Sequence, residues 1–202
     1  MNGEEGGGKR AAKKAARESA RALKRAEKIA AFEKNCAALR EEGYEQLDRT
    51  VSIARANWLG FLCGVPLAAA LFAAMRLLPH RSYSLTGVFW ADLPLFFALL
   101  AVSIPVHECL HAIFWAAGNG SFRGISFGVS CATPYCSCAV PMGRGRYVVG
   151  TLAPLFLLGV LPGVLALCFC NMFAAIIGVF GILSAGGDIL IACRELFSRA
   201  KK

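Results

Sequence analysis

Residues 89–117 read FWADLPLFFALLAVSIPVHECLHAIFWAA, and the rest of the chain takes its meaning from this stretch. A helix of this length covers the roughly 30 Å of hydrocarbon in a bilayer at about 1.5 Å per residue. Its charged and imidazole-bearing positions are Asp92 near the start and the group His107, Glu108 and His111 towards the end. His107 and His111 are four residues apart, so both rings leave the same helical face. Polar groups of this kind inside a span cost on the order of 2–4 kcal/mol each when unpaired. Their clustering therefore argues for a purpose, either a metal site or a hydrogen-bonded histidine pair bracing neighbouring helices.

Three further apolar stretches of spanning length accompany it: residues 58–78, 147–169 and 172–197. The second is broken from the third by a tight turn at Asn171, and Pro105, Pro154 and Pro162 fall within spans, where kinks are tolerated because neighbouring helices satisfy the freed carbonyls. Hydrophobic residues make up 56% of the 202 positions, high for a soluble domain. The fold expected is an all-α membrane protein of four transmembrane helices. Residues 1–56 form a basic helical arm and 57–202 the membrane domain. No apolar signal-peptide core is expected within the first 56 residues.

Charge sets the expected orientation. Residues 1–57 hold 13 Lys/Arg and 9 Asp/Glu. With four spans, the arm, the loop 118–146 (Arg123, Arg144, Arg146) and the tail (Arg194, Arg199, Lys201, Lys202) share one side, while Arg81 lies opposite and Arg76 at a helix end. The positive-inside rule then places both termini in the cytoplasm. The arm has sparse apolar positions (Leu23, Ile29, Phe32, Leu39) and suits a solvated helix resting on anionic lipid headgroups. It carries no aromatic interleaving or base-reading motif, so nucleic acid is not an expected partner. Trp58, Trp90 and Trp115 sit at or near span ends, as an aromatic belt would, and His80 follows Pro79 in an interfacial position.

The loop 118–146, GNGSFRGISFGVSCATPYCSCAVPMGRGR, is punctuated by Gly and Pro around two β-prone pieces, 122–129 and 135–140. A short β-hairpin between the second and third spans is expected. Cys136-x-Cys138, with Cys131 upstream, reads either as packing of that hairpin or as a second metal or redox site, although C-x-C is not the usual C-x-x-C zinc spacing. An unpaired hairpin edge offers a place for substrate, with Tyr135, Cys136 and Cys138 as the candidate binding loop. Cys63, Cys109, Cys168, Cys170 and Cys193 lie in apolar runs and are read as small buried hydrophobes.

A metal needs a third ligand, and the last span offers Asp188 in SAGGDILIACRE. Both the second and fourth spans run towards the same side in a four-span topology. His111, His107 and Asp188 lie six, ten and nine residues from their span ends, a common layer roughly 6 Å thick. The other readings of Asp188 are a salt bridge to Arg194 or a cap on a broken helix. Gly186 and Gly187 would let the fourth span approach the second closely, or bend towards the site. Two imidazoles can reach one zinc ion at about 2.0–2.1 Å, and Glu108 stands one residue along, where it can serve as general base without being a ligand. Haem is a poor fit, since two histidines at this spacing cannot take opposite axial positions.

The chain resembles the Putative zincin peptidase family of small bacterial membrane proteins, once a domain of unknown function and similar in design to site-2-protease-like enzymes. The resemblance rests on GYEQLDRTVSIARANWLG before the first span, HECLH, PYCSCAVPM and AGGDIL. It implies that His107, His111 and Asp188 are Zn2+ ligands and that Glu108 is the catalytic acid/base. Site-2-type enzymes often carry Gly in the motif and Pro or Asn near the Asp; Cys109-Leu110 and Gly186-Gly187 stand there in this chain. The expected function is a zinc metalloprotease (peptide hydrolase) of the bacterial cytoplasmic membrane, cutting membrane-associated or transmembrane protein substrates. The alternative is a non-catalytic metal-binding membrane protein: a zinc transporter, sensor or pseudoprotease.

Overall fold

The computed structural model describes residues 4–44, 53–78, 82–130 and 133–197. His80, Arg81 and Cys131, and the tail residues Arg199, Lys201 and Lys202, lie outside the described residues. The described chain is mostly helical. Helix α1 (Glu4–Glu41) belongs to a compact unit of its own, and Arg49–Ala200 form a second. The second unit contains α2 (Ile53–Leu77), α3 (Phe89–Asn119), a hairpin of β1 (Ile125–Ser130) and β2 (Thr133–Cys138), and α4 (Arg144–Pro154). A π-helical segment (Leu155–Val160) leads into α5 (Leu161–Cys168), and α6 (Met172–Ser184) and α7 (Gly186–Phe197) complete it.

Among the described residues, three helical stretches are long and apolar enough to cross a membrane: Trp58–Leu77, Phe89–Asn119 and Arg144–Cys168. The fourth expected span is instead a bent pair, α6 and α7, meeting at 48°. The chain breaks at Ala185, which is fully buried. The physical reason lies one residue on. A Cβ on Gly186 would stand 2.1 Å from the carbonyl oxygen of Gly60, and one on Gly60 would stand 2.6 Å from the Gly187 nitrogen. Thus α7 begins in backbone contact with α2. The glycine pair does permit close approach, but to the first span and not to the second as its sequence position suggested.

The π segment also departs from a plain helix. It follows Pro154, whose missing N–H and bulky ring disturb the preceding ladder. The core is a pair of clusters. One joins Ala68, Leu155, Ile182 and Ala185, and the other Met75, Ala166, Met172 and Ala175. The first ties α2, the π segment and the α6–α7 bend together, immediately beneath the site described below.

One end of the unit is held by polar bonds. The Ser82 amide donates to the Cys170 carbonyl at 2.9 Å, and the Met172 amide to the Ser82 carbonyl at 2.7 Å. Asn171 caps α6 by accepting from the Ala174 amide at 2.9 Å, and its own amide group donates to the Ser84 carbonyl at 3.0 Å. Asp92, buried in the first turn of α3, accepts from the amides of Leu85 and Thr86 and from the hydroxyls of Ser84 and Thr86. These bonds explain a carboxylate inside an apolar helix and join the starts of α3 and α6 at one face. From that face His107 is 18 residues beyond Phe89 and Asp188 is 16 beyond Met172. Along helices these are about 27 and 24 Å, the same level.

The hairpin begins and ends two or three residues away from the β-prone pieces read in the sequence. Its register pairs Phe127 with Cys136 and Gly128 with Tyr135. Tyr135 lies across Gly128, where a Cβ would meet its ring at 2.5 Å, so its ring covers the face that the glycine leaves open. None of Cys63, Cys109, Cys168, Cys170 and Cys193 is buried in the protein, and Cys109, Cys168 and Cys193 are exposed. An apolar run faces lipid as readily as core, which is why hydropathy alone misassigned them.

Gly186→Ala places a methyl against the Gly60 carbonyl and is expected to destabilise the unit by about 1–3 kcal/mol. Gly187→Ala, whose Cβ meets nothing within 4 Å, is expected to unfold like wild type. Denaturant unfolding in detergent distinguishes them.

Candidate metal centre

Helix α3 presents His107, half-buried, and His111, 5% exposed, one turn apart with ring centroids 4.9 Å apart. Asp188 sits in the first turn of α7, just past the bend. Its Oδ2 lies 3.1 Å from His107 Nε2 and its Oδ1 3.3 Å from His111 Nε2. One ligand atom from each of the three residues falls within 4.8 Å of the others. The structure thus brings together the imidazole pair and the carboxylate singled out from sequence, and Asp188 faces the histidines, not Arg194.

The protonation chemistry of this group is constrained. His111 Nδ1 lies 2.9 Å from the Gly150 carbonyl oxygen. A carbonyl only accepts, so Nδ1 carries a proton, and in the neutral ring Nε2 is then a bare lone pair. That lone pair faces a carboxylate oxygen. Asp188 Oδ2 is itself buried with no hydrogen-bond partner, being close to His107 but not aligned for a bond. Acceptors converging on one point, with an orphaned buried oxygen among them, fit a cation shared between them. The nitrogen–nitrogen–oxygen donor set suits zinc, and the backbone carbonyl behind His111 is the usual kind of support for a ligating imidazole.

An aromatic stack holds His111 from its other side. Its ring stacks on Trp115 at 5.2 Å and 15°, and Trp115 stacks on Tyr147 at 5.5 Å and 5°. The Trp115 indole donates to the Tyr147 carbonyl at 3.2 Å. Trp115 is 5% exposed, so it is a packing residue of the site and not a member of an interfacial belt. Its position two turns along the His107–His111 stripe was the available sign. Trp58 and Trp90 are strongly exposed, as belt residues would be. Gly150 makes the stack possible, because a Cβ there would stand 2.2 Å from Trp115 Cδ1.

The group opens on a cavity of about 470 Å³, also lined by Glu108, Tyr135, Cys136 and Tyr147. An adjoining cavity of about 250 Å³ shares His107, Glu108, Thr133, Pro134 and Ser184. Glu108 therefore stands in the wall of both without belonging to the candidate ligand set. Tyr135 and Cys136 reach the cavity. Cys138 does not: its sulfur meets the Asn119 side-chain amide at 3.7 Å and the Val140 carbonyl at 3.7 Å, packing the hairpin onto the end of α3. The two cysteines share a strand face, but Cys136 turns to the cavity and Cys138 to the end of α3.

Burial pushes the Cys136 thiol up to about 11, and the Glu108 carboxylate adds to the shift by opposing a second negative charge. Alkylation of Cys136 is therefore expected to be slow at neutral pH and to rise as pH approaches that value. Glu108→Gln removes one of the opposing charges and is expected to lower the thiol pKa, speeding alkylation at a fixed pH; residue-resolved mass spectrometry follows both.

Apolar helices of spanning length, with two histidines of an H-E-x-x-H helix facing an aspartate of a bent neighbour, define a membrane protein with a candidate metal-binding group of zincin type. The comparison with known families agrees. The family described as "Putative zincin peptidase" matches residues 100–202, and the chain belongs to it. The matched region contains His107, Glu108, His111 and Asp188, and the description itself names a peptidase and implies zinc. No curated protein and no solved structure matches the chain.

Proposed function

We propose that the protein is a zinc-dependent membrane endopeptidase in which His107, His111 and Asp188 hold the ion and Glu108 is the catalytic acid/base. The observation that carries this reading is the convergence of their Nε2 and carboxylate atoms within 4.8 Å beside a cavity walled by a carboxylate outside the ligand set. A zinc ion held there supplies Lewis acidity, acidifying water and polarising a peptide carbonyl. Glu108 takes the proton of the attacking water and returns it to the departing amine nitrogen. The buried His111, the half-buried His107 and the apolar part of the walls limit competing water.

The hairpin supplies the substrate side. In a two-stranded sheet β2 has one edge paired with β1 and one unpaired, and Thr133–Cys136 of β2 line the cavity. An extended peptide added to the free edge would pass before Glu108, with Tyr135 and Cys136 beside it. Because Cys138 packs away from the cavity, its part is to seat the hairpin. Four spans, with α6 and α7 as one broken span, and the Lys/Arg excess of the arm, the loop 118–146 and the tail support cytoplasmic termini and a site reached from that side. The arm, residues 1–56, would lie against anionic lipid and the membrane domain, 57–202, would carry the chemistry.

Glu108→Gln is expected to retain stoichiometric zinc and to lose about 10²–10⁴-fold of cleavage rate on membrane-anchored peptides in proteoliposomes. Undiminished cleavage removes Glu108 as the base. Zinc retention without any wild-type cleavage supports the non-catalytic metal-binding alternative. Asp188→Ala is expected to lower zinc content measured by elemental analysis; an unchanged content removes that ligand.

A further inference from the structure

The carbonyl that supports His111 belongs to a helix, and a helical carbonyl ordinarily accepts from the amide four residues on. Four residues after Gly150 stands Pro154, which has no N–H to give. The next amide, that of Leu155, donates to the Leu152 carbonyl instead. A proline ring also crowds the carbonyl four residues before it and turns it off the helix axis. The Gly150 oxygen is thus held by neither the amide four residues on nor the one five residues on, and it is the atom that meets His111 Nδ1 at 2.9 Å. Gly150 allows the approach because the Trp115 ring occupies the place of a Cβ.

We infer that Pro154 and Gly150 are positioning residues: the proline frees and turns the Gly150 carbonyl so that it fixes His111 in the Nδ1–H tautomer with Nε2 facing Asp188. The inference rests on the metal-binding reading for its consequence but not for its geometry. Of the bonds between α3 and α4, this is the one made to the ring of a proposed ligand, and such a bond sets ring orientation within a fraction of an ångström, which a ligand must have. Pro154 is buried and touches neither substrate space nor the proposed ion, so its effect on the ion is indirect and is read at the carbonyl by the His111 tautomer.

The test uses the full chain in nanodiscs. Pro154→Ala restores an amide that draws the Gly150 carbonyl back onto its helix, and zinc affinity measured by chelator competition is expected to fall roughly 10- to 100-fold. Pro162→Ala, in the same span but at the start of α5, is expected to leave it unchanged. In metal-free wild type, ¹⁵N-histidine spectra are expected to show His111 protonated on Nδ1. Pro154→Ala is expected to shift that population towards the Nε2–H form. The chain has three histidines, so substitution of the other two assigns the signal. Equal affinity and an unchanged tautomer in Pro154→Ala overturn the inference while leaving the zinc reading intact. If wild type binds no zinc, the zinc reading falls and the tautomer measurement still decides this one. A wild-type His111 found with its proton on Nε2 overturns the inference whether or not any variant folds.

Discussion

A carboxylate and two ring nitrogens converge inside an apolar helical bundle, and one of the rings has its other nitrogen already committed to a backbone carbonyl. In water such groups would turn to solvent. Here the backbone denies them that freedom: α3 fixes the rings, the bend at Ala185 fixes the carboxylate, and contact between Gly60 and Gly186 fixes the bend. The arrangement is stable only if something positive sits among the acceptors, because burying unmatched acceptors in low dielectric costs several kcal/mol by transfer estimates. The rest of the unit is organised to bring the three residues together and to keep them there.

Two kinds of support are visible. Near the site, the Gly150 carbonyl and the Trp115–Tyr147 stack restrain His111 from two directions, one polar and one apolar. Away from it, the Ser82–Asn171 bonds and the Asp92 cradle join the starts of α3 and α6. The first kind sets orientation and the second sets level. The hairpin adds a wall to the cavity without adding to the ligand set, so the strand edge and the ligand group are built on separate elements.

Much of this was legible in the sequence because it follows from period and depth. The 107/111 spacing requires one helix face, and the apolar lengths mark four stretches, three of which are long helices while the fourth is bent at Ala185. Asp188 stands out as the acidic residue in the interior of the last apolar stretch, and counting from span ends puts it level with the histidines because helical rise is constant. What remained hidden depends on partners distant in sequence. Gly186 was recognisable as a place of close approach, but its partner Gly60 lies 126 positions away (186 − 60) and no local signal names it. Trp115 has the composition of a belt residue, and only the packed structure shows its ring against His111. The exposed cysteines show the same limit, since hydropathy reports an apolar environment and not whether protein or lipid provides it.

The common origin of α3 and α6 also constrains how this chain can change over time. Inserting or deleting one residue between Phe89 and His107, or between Met172 and Asp188, would rotate everything beyond it by about 100° and slide it by about 1.5 Å. That would turn a ligand away from its companions even if every side chain were preserved. The turns beyond the shared face and the segment joining α3 to the hairpin carry no such obligation, because no ligand's height is measured through them. Length variation among descendants of this sequence should therefore gather in those connections, while the two stretches of helix between anchor and ligand keep their residue count even as their apolar letters drift.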